Sequence, residues 1–150
     1  MSIKKITWIF ILIVLAGAAW YGFKEFNRTA PNPRDQEPDF KIPAISLLQV
    51  FEKNDTAAIQ TYNGKILEVS GNVKEIEKDE KGFYTLVLGA NEELSSVRCS
   101  IDSTSNQEAA SITKNSSVII RGTFTGHNKD EMGLGADVIL NRCALISKQE

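Results

Sequence analysis

A small, mostly β domain behind a single apolar helix is the fold class that this 150-residue sequence predicts. Three observations carry that expectation. After residue 66 the apolar residues recur at every second position in five short segments, the period of a half-buried strand. Just before them, Leu47, Leu48, Val50 and Phe51 fall on one face at helical spacing. Residues 6–23 form a run of 18 positions without a charge. As a helix that run approaches the thickness of a bilayer's hydrocarbon core. With 42% hydrophobic and 24% charged residues, the composition is globular and excludes collagen-like, disordered and multi-pass membrane chains.

The N-terminal tail, residues 1–5, carries Lys4 and Lys5. The apolar run follows, with Trp8 near one end and Trp20 beside Tyr21 at the other, residues that favour the headgroup level of a membrane. An uncleaved single-pass anchor is the reading adopted. A cleaved signal peptide is the rival, because Ala16, Gly17, Ala18 and Ala19 are the small residues a signal peptidase selects. A helix buried in the core is the third reading. Residues 15–18 have the shape of a lipobox with alanine where its cysteine must stand, so no thiol is there to carry a lipid. Basic residues on the two sides of the run nearly balance, but a short basic tail followed at once by an apolar run resembles an export signal, so the N-terminus is expected inside and the domain outside the membrane.

Residues 24–43 contain all four prolines, Pro31, Pro33, Pro38 and Pro43. Proline lacks an amide donor and bars the preceding residue from the helical region, so this stretch reads as a semi-extended tether. The folded domain is expected over residues 44–150. Ser46 is the candidate N-cap of its first helix, and Ala57, Ala58 and Ile59 extend that helix or form a second turn.

The five strands follow. Leu67, Val69, Gly71 and Val73 alternate with polar residues, and a charged hairpin at residues 77–82 ends this first strand. Tyr84, Leu86 and Leu88 make the second, and Val97, Cys99 and Ile101 the third. Residues 103–115 are polar around Ala109, Ala110 and Ile112, which reads as a short helix or loop. Val118, Ile120, Gly122 and Phe124 make the fourth strand, and a glycine-bearing loop at 126–135 follows. Val138 and Leu140, then Cys143 and Leu145, make the fifth, with a bulge at Asn141 and Arg142 where the alternation slips. Five strands interrupted between the third and fourth fit a Greek-key barrel of the oligonucleotide/oligosaccharide-binding (OB) type, whose closure removes exposed edges. A small β-sandwich is the alternative.

These residues also resemble a known family. Tyr62, Gly64, Lys65, Val69, Gly71 and Val73 follow the opening Y-x-G-K-x-hydrophobic-x-V-x-G-x-V of the tRNA-anticodon-like OB-fold (tRNA_anti-like) family. Val97-Arg98-Cys99, the stretch Arg121-Gly122 through Gly126, and the stretch around Asn141-Arg142-Cys143 are similar to its later strands. The likeness covers about residues 44–147. It implies an OB barrel of bacterial origin and a binding role. A further cysteine common in that pattern is Phe124 here.

In the family's topology the third and fifth strands pair, which implies that Cys99 and Cys143 stand on neighbouring strands. They are then either a disulfide formed in an oxidising compartment or two ordinary buried thiols. OB folds bind on the outer face of their second and third strands, so Phe83, Thr85, Arg98 and Ser100 are the candidate binding residues, with the loops at 77–82 and 126–135. Residues 44–150 hold 11 basic against 15 acidic side chains, a net charge of −4. That balance argues against a nucleic-acid partner and favours an envelope protein, peptide or glycan. Its alternative is a single-stranded nucleic-acid-binding domain on the cytoplasmic face.

His127 with Asp130 and Glu131 is the single cluster with metal-ligating chemistry, and a solvated loop explains it as well. Nothing assembles a Ser, His and Asp into a hydrolase triad. No catalytic residue, metal or cofactor is expected. The reading is a non-catalytic OB module anchored through residues 6–23 in a bacterial inner membrane, with its domain extracytoplasmic.

Overall fold

The structure, a computed structural model, describes residues 3–26, 31–129 and 135–149. The chain divides into two compact units, Met1–Pro31 and Asn32–Glu150. The first contains helix α1, Ile3–Phe26. It spans the apolar run at residues 6–23. Its described side chains are Val14 and residues 16–26, with Trp20 and Tyr21 exposed. Among the described residues, no helix is long and apolar enough to cross a membrane.

In the second unit the order is β1 (Phe40–Pro43), α2 (Ala44–Lys53), α3 (Asp55–Tyr62), β2 (Ile66–Lys78), β3 (Tyr84–Leu88), β4 (Ser96–Ile101), α4 (Asn106–Ala109), β5 (Ser117–Lys129) and β6 (Ala136–Gln149). Strands β2, β3, β4, β6 and β5 follow one another around the sheet, and β2 pairs with β5 to close it. This is the expected five-stranded barrel. Every pairing is antiparallel except β4 with β6 and β1 with β2. Leu67, Val69, Val73, Leu86, Leu88, Val97, Val118, Ile120, Val138 and Leu140 point inward and are solvent-free, as alternation requires.

Glycines let other groups approach the barrel wall. A Cβ at Gly71 would stand 2.9 Å from the Cβ of Ala44, so Gly71 admits the first turn of α2. A Cβ at Gly122 would overlap the Cys143 sulfur. The bulge falls where the alternation slips: Arg142 has φ +54°, and the register shifts between Arg121 and Thr123 on the facing strand. Both Leu140 and Cys143 are thereby directed inward despite their odd spacing.

Several expectations need correction. The helix begins at Ala44 on Pro43 rather than on a Ser46 cap, because proline's fixed φ suits a helix entry. The second turn is a separate helix, α3, capped by the Asn54 side chain on the Ala57 amide at 3.0 Å. Of the expected loop at 126–135, residues 126–129 are strand instead. Gly126 through Lys129 pair with β6, extending the β5–β6 hairpin. Residues 130–134 lie outside the described part.

The largest correction concerns the tether. Residues 32–43 belong to the barrel unit. β2 pairs with β3 only from Val73 onward, which leaves its first half with an open edge. β1 fills that edge in parallel, Phe40 opposite Leu67 and Pro43 opposite Ser70, so the sheet has six strands rather than five. Asp39 locks the register, its carboxylate accepting from the Ile66 amide and its amide donating to the Ile66 carbonyl, both at 2.8 Å. Upstream, Asn32 caps a short 3-10 turn at Pro33–Asp35.

Candidate ligand-binding face

β3 and β4 are antiparallel, with Thr85 opposite Ser100 and Val87 opposite Arg98. Leu86, Cys99 and their inward neighbours go to the core, so Thr85, Arg98 and Ser100 occupy the outer face together, as expected. Val87 shares that outer phase yet is buried, lying in register between Glu75 and Arg98. Long charged side chains cover apolar neighbours with their stems in this way.

Arg98 is the cation of this face. Its Nη2 pairs with Glu77 Oε2, and its Nη1 lies 3.9 Å from Asp137 Oδ2. Asp137 also accepts from the Ser96 hydroxyl. One guanidinium between two carboxylates leaves the cluster net negative. The three side chains are about a third exposed, at 33%, 39% and 30%, so the pairs are in contact with water and exchangeable.

Phe83 precedes β3 and is 40% exposed. Its position is fixed by the hairpin. Asp79 Oδ1 accepts from the amides of Lys81 at 2.9 Å and Phe83 at 2.8 Å, and Gly82 takes φ +86° to complete the turn. Asn106, at the start of α4, accepts from the Tyr84 amide at 3.1 Å and donates to the Gly82 carbonyl at 2.9 Å. The aromatic side chain is thus presented from a rigid support. On the face so formed, hydroxyls from Thr85 and Ser100 lie beside a neutralised arginine, with one exposed ring preceding β3.

Of the His127 cluster, only His127 lies among the described residues. His127 lies on β5, and Asp130 and Glu131 fall outside the described residues. Its ring packs against that of Phe51 of α2, with centroids 4.8 Å apart and the planes tilted by 30°. Nε2 is buried and has no hydrogen-bond partner among the described residues. Burial lowers its pKa below the usual histidine value, against the pull of Asp55. Among the described residues no group of three acidic, histidine or cysteine side chains is placed to hold a metal.

Sequence reasoning missed two features. One is a groove of about 390 Å³ between α2 and residues 92–95, with Ile45, Leu48 and Leu94 beside Glu52, Glu92 and Glu93. The other is an arginine clasp opposite in character to Arg98. Arg121 pairs with Glu68 and donates to the carbonyls of Arg34 at 3.0 Å and Gln36 at 2.7 Å. Arg34 in turn pairs with Glu108 and donates to the Leu145 carbonyl. The Arg121 guanidinium holds Glu68, and the Arg34 guanidinium holds Glu108, below the usual carboxylate range. No spacing rule joins residues 34, 68, 108 and 121, so only the closed barrel reveals the clasp.

The tRNA_anti-like family model matches residues 1–143. A solved structure of a candidate nucleic acid-binding lipoprotein from Klebsiella pneumoniae superposes with a TM-score of 0.56 at 16% identity, covering 75% of this chain and 100% of that one. At such identity the likeness shows the fold. Asparaginyl-tRNA synthetase from Pyrococcus horikoshii gives a TM-score of 0.40 at 17% identity, over 60% of this chain and 21% of the enzyme. Aspartyl-tRNA synthetase from Entamoeba histolytica gives 0.43 at 14%, over 77% and 26%. No curated protein matches the chain.

Proposed function

Since the chain belongs to the tRNA_anti-like family, we propose that it is a non-catalytic binding module, held at a bacterial inner membrane by α1 and binding through the outer face of β3 and β4. The observation that carries the reading is the Arg98 cluster. A phosphate backbone needs unpaired cations, whereas here the guanidinium is already shared by Glu77 and Asp137. A partner offering hydroxyls, amides or a positive charge, with a flat apolar group for Phe83, suits this face better. An envelope peptide or glycan has that chemistry. The anchor is supported by the uncharged run at 6–23 and by a family match that takes in residues of α1.

The test is a titration of the full chain in detergent with peptidoglycan fragments and with lysine-bearing peptides. Binding that is lost in Phe83→Ala and in Thr85→Ala supports the reading. Binding indifferent to both replacements removes it. Membrane extraction at alkaline pH, with protease protection in intact cells, tests the anchor and its orientation.

A second reading rests on the family fold and on the Klebsiella protein's description, which names nucleic acid. Under it the ligand is single-stranded RNA or DNA stacked on Phe83. Mixed-sequence oligonucleotides bound with an affinity that falls steeply as salt rises would favour this reading over the first.

A further inference from the structure

Cys99 on β4 and Cys143 on β6 are the two cysteines of the chain. Both are fully buried, and both are free thiols. Their strands are parallel neighbours, with Cys99 opposite Leu140 and Ile101 opposite Cys143 across a register shift. The bulge at Arg142 turns Cys143 back to the interior, on the side of the barrel where Cys99 also lies buried. In that register the two cysteines stand diagonally, two residues out of step on strands about 5 Å apart, so a disulfide between them needs a small approach of the two strands. Across the wall, Gly122 has no side chain because the Cys143 sulfur occupies that space. The two cysteines therefore share the closed interior of the barrel.

We propose that Cys99 and Cys143 form an intramolecular disulfide site, closed by exchange with an external disulfide before the barrel shuts. A thiolate of the unfolded chain attacks the external disulfide, forming a mixed disulfide and releasing one reduced thiol. The second cysteine, after losing its proton, attacks the chain's own sulfur in that mixed disulfide. This forms the Cys99–Cys143 bond and releases the second reduced thiol. Two chain thiols are oxidised, and one external disulfide is reduced to two thiols. The order matters because burial pushes the Cys143 thiol well above its usual pKa and shuts out reagent. Once folded, the pair is inert, so its state records the compartment in which the chain folded. The bond would tie residues 44 positions apart and constrain the unfolded chain.

The experiment refolds the full chain in detergent from the denatured, reduced state, with oxidised glutathione in one sample and dithiothreitol in the other. Both are alkylated under denaturing conditions and mapped by mass spectrometry. The glutathione sample is expected to give a single Cys99–Cys143 linked peptide within one chain, and a melting temperature higher by about 5 °C or more. Native reduced protein given the same glutathione without denaturant is expected to keep both thiols over hours. Free thiols, stable glutathione adducts or bonds between chains in the refolded sample would overturn the site. Rapid oxidation of the native protein would overturn the proposed order. Cys99→Ala serves as control and should show a lone Cys143 thiol or its adduct. Should that variant not fold, the mapping of the unsubstituted chain decides alone.

Discussion

Arg121 and Arg98 each lie among carboxylates on the same barrel, yet the two sites differ in almost everything else. Arg121 and Glu68 are 14% and 13% exposed, and the guanidinium spends its remaining donors on the carbonyls of Arg34 and Gln36. Arg98, Glu77 and Asp137 are about a third exposed, and Arg98 is placed between the two carboxylates. The first arrangement ties residues 32–36 to the wall through a saturated guanidinium. The second offers groups that a ligand can take over at small cost. The lesson is that an arginine's partners and burial, rather than its charge, decide whether it builds structure or meets a ligand.

That contrast can be broken by mutation. The largest effect is expected from Arg121→Ala, which leaves Glu68 paired with the exposed Lys41, at 3.3 Å, and takes the donors from two carbonyls. Denaturant unfolding should show a loss of about 2–3 kcal/mol. A loss as small as that of an exposed pair would erase the distinction between the two sites.

Next comes Gly122→Ala, whose added methyl meets the Cys143 sulfur and lies 3.3 Å from the Asn141 carbonyl oxygen. Overpacking of this kind costs about 1–2 kcal/mol. Cys143→Ala in the same chain should restore part of it, and a double-mutant cycle measures that coupling.

Arg98→Ala is expected to cost less than about 1 kcal/mol in stability while altering whatever binds the β3–β4 face. Calorimetry and the peptide titration together separate the two effects.

The smallest effect is acid-dependent. Glu68 is held below its ordinary value of 4.5 by Arg121. Its contribution is therefore complete above that ordinary value and disappears as pH falls through the lowered folded value. The gap in melting temperature between the unsubstituted chain and Glu68→Gln should narrow as pH is taken from neutral to below 4.5. A gap that widens in acid would contradict the assigned pairing.

Much of the barrel was legible because alternation is a local signal. Leu67 through Val73, Tyr84 through Leu88 and Val97 through Ile101 all emerged as strands from their period alone, and the slip at Asn141 and Arg142 marked its own bulge. That the two cysteines stand on neighbouring strands followed from the family resemblance and not from any local period. β1 stayed hidden because four residues ending in proline carry too short a pattern, and its reason for existing is the open edge of β2, which no local window contains. Residues 32–36 were read as a spacer for a related reason. Pro33 and its proline neighbours on either side disfavour a long helix, but a short 3-10 turn can still dock, and Arg34 reaches partners more than 70 positions away. At the candidate face, alternation placed Thr85, Arg98 and Ser100 outward. It was blind to Glu77 and Asp137, whose pairing with Arg98 depends on which strands adjoin β4.

The parallel seam between β4 and β6 also bears on how fast this molecule reaches its native state. Ser96 meets Asp137 across 41 positions, and β2 meets β5 across 57, from Ile66 to Thr123. By contrast β2 with β3 and β5 with β6 are hairpins that close locally. Chain entropy must be surrendered over the long intervals before their contacts give anything back. The two hairpins therefore have the kinetic advantage, and the seam that unites Cys99 with Cys143 belongs to the slow end of the folding reaction. A chain in transit spends its waiting time with those sulfurs apart and open to solvent.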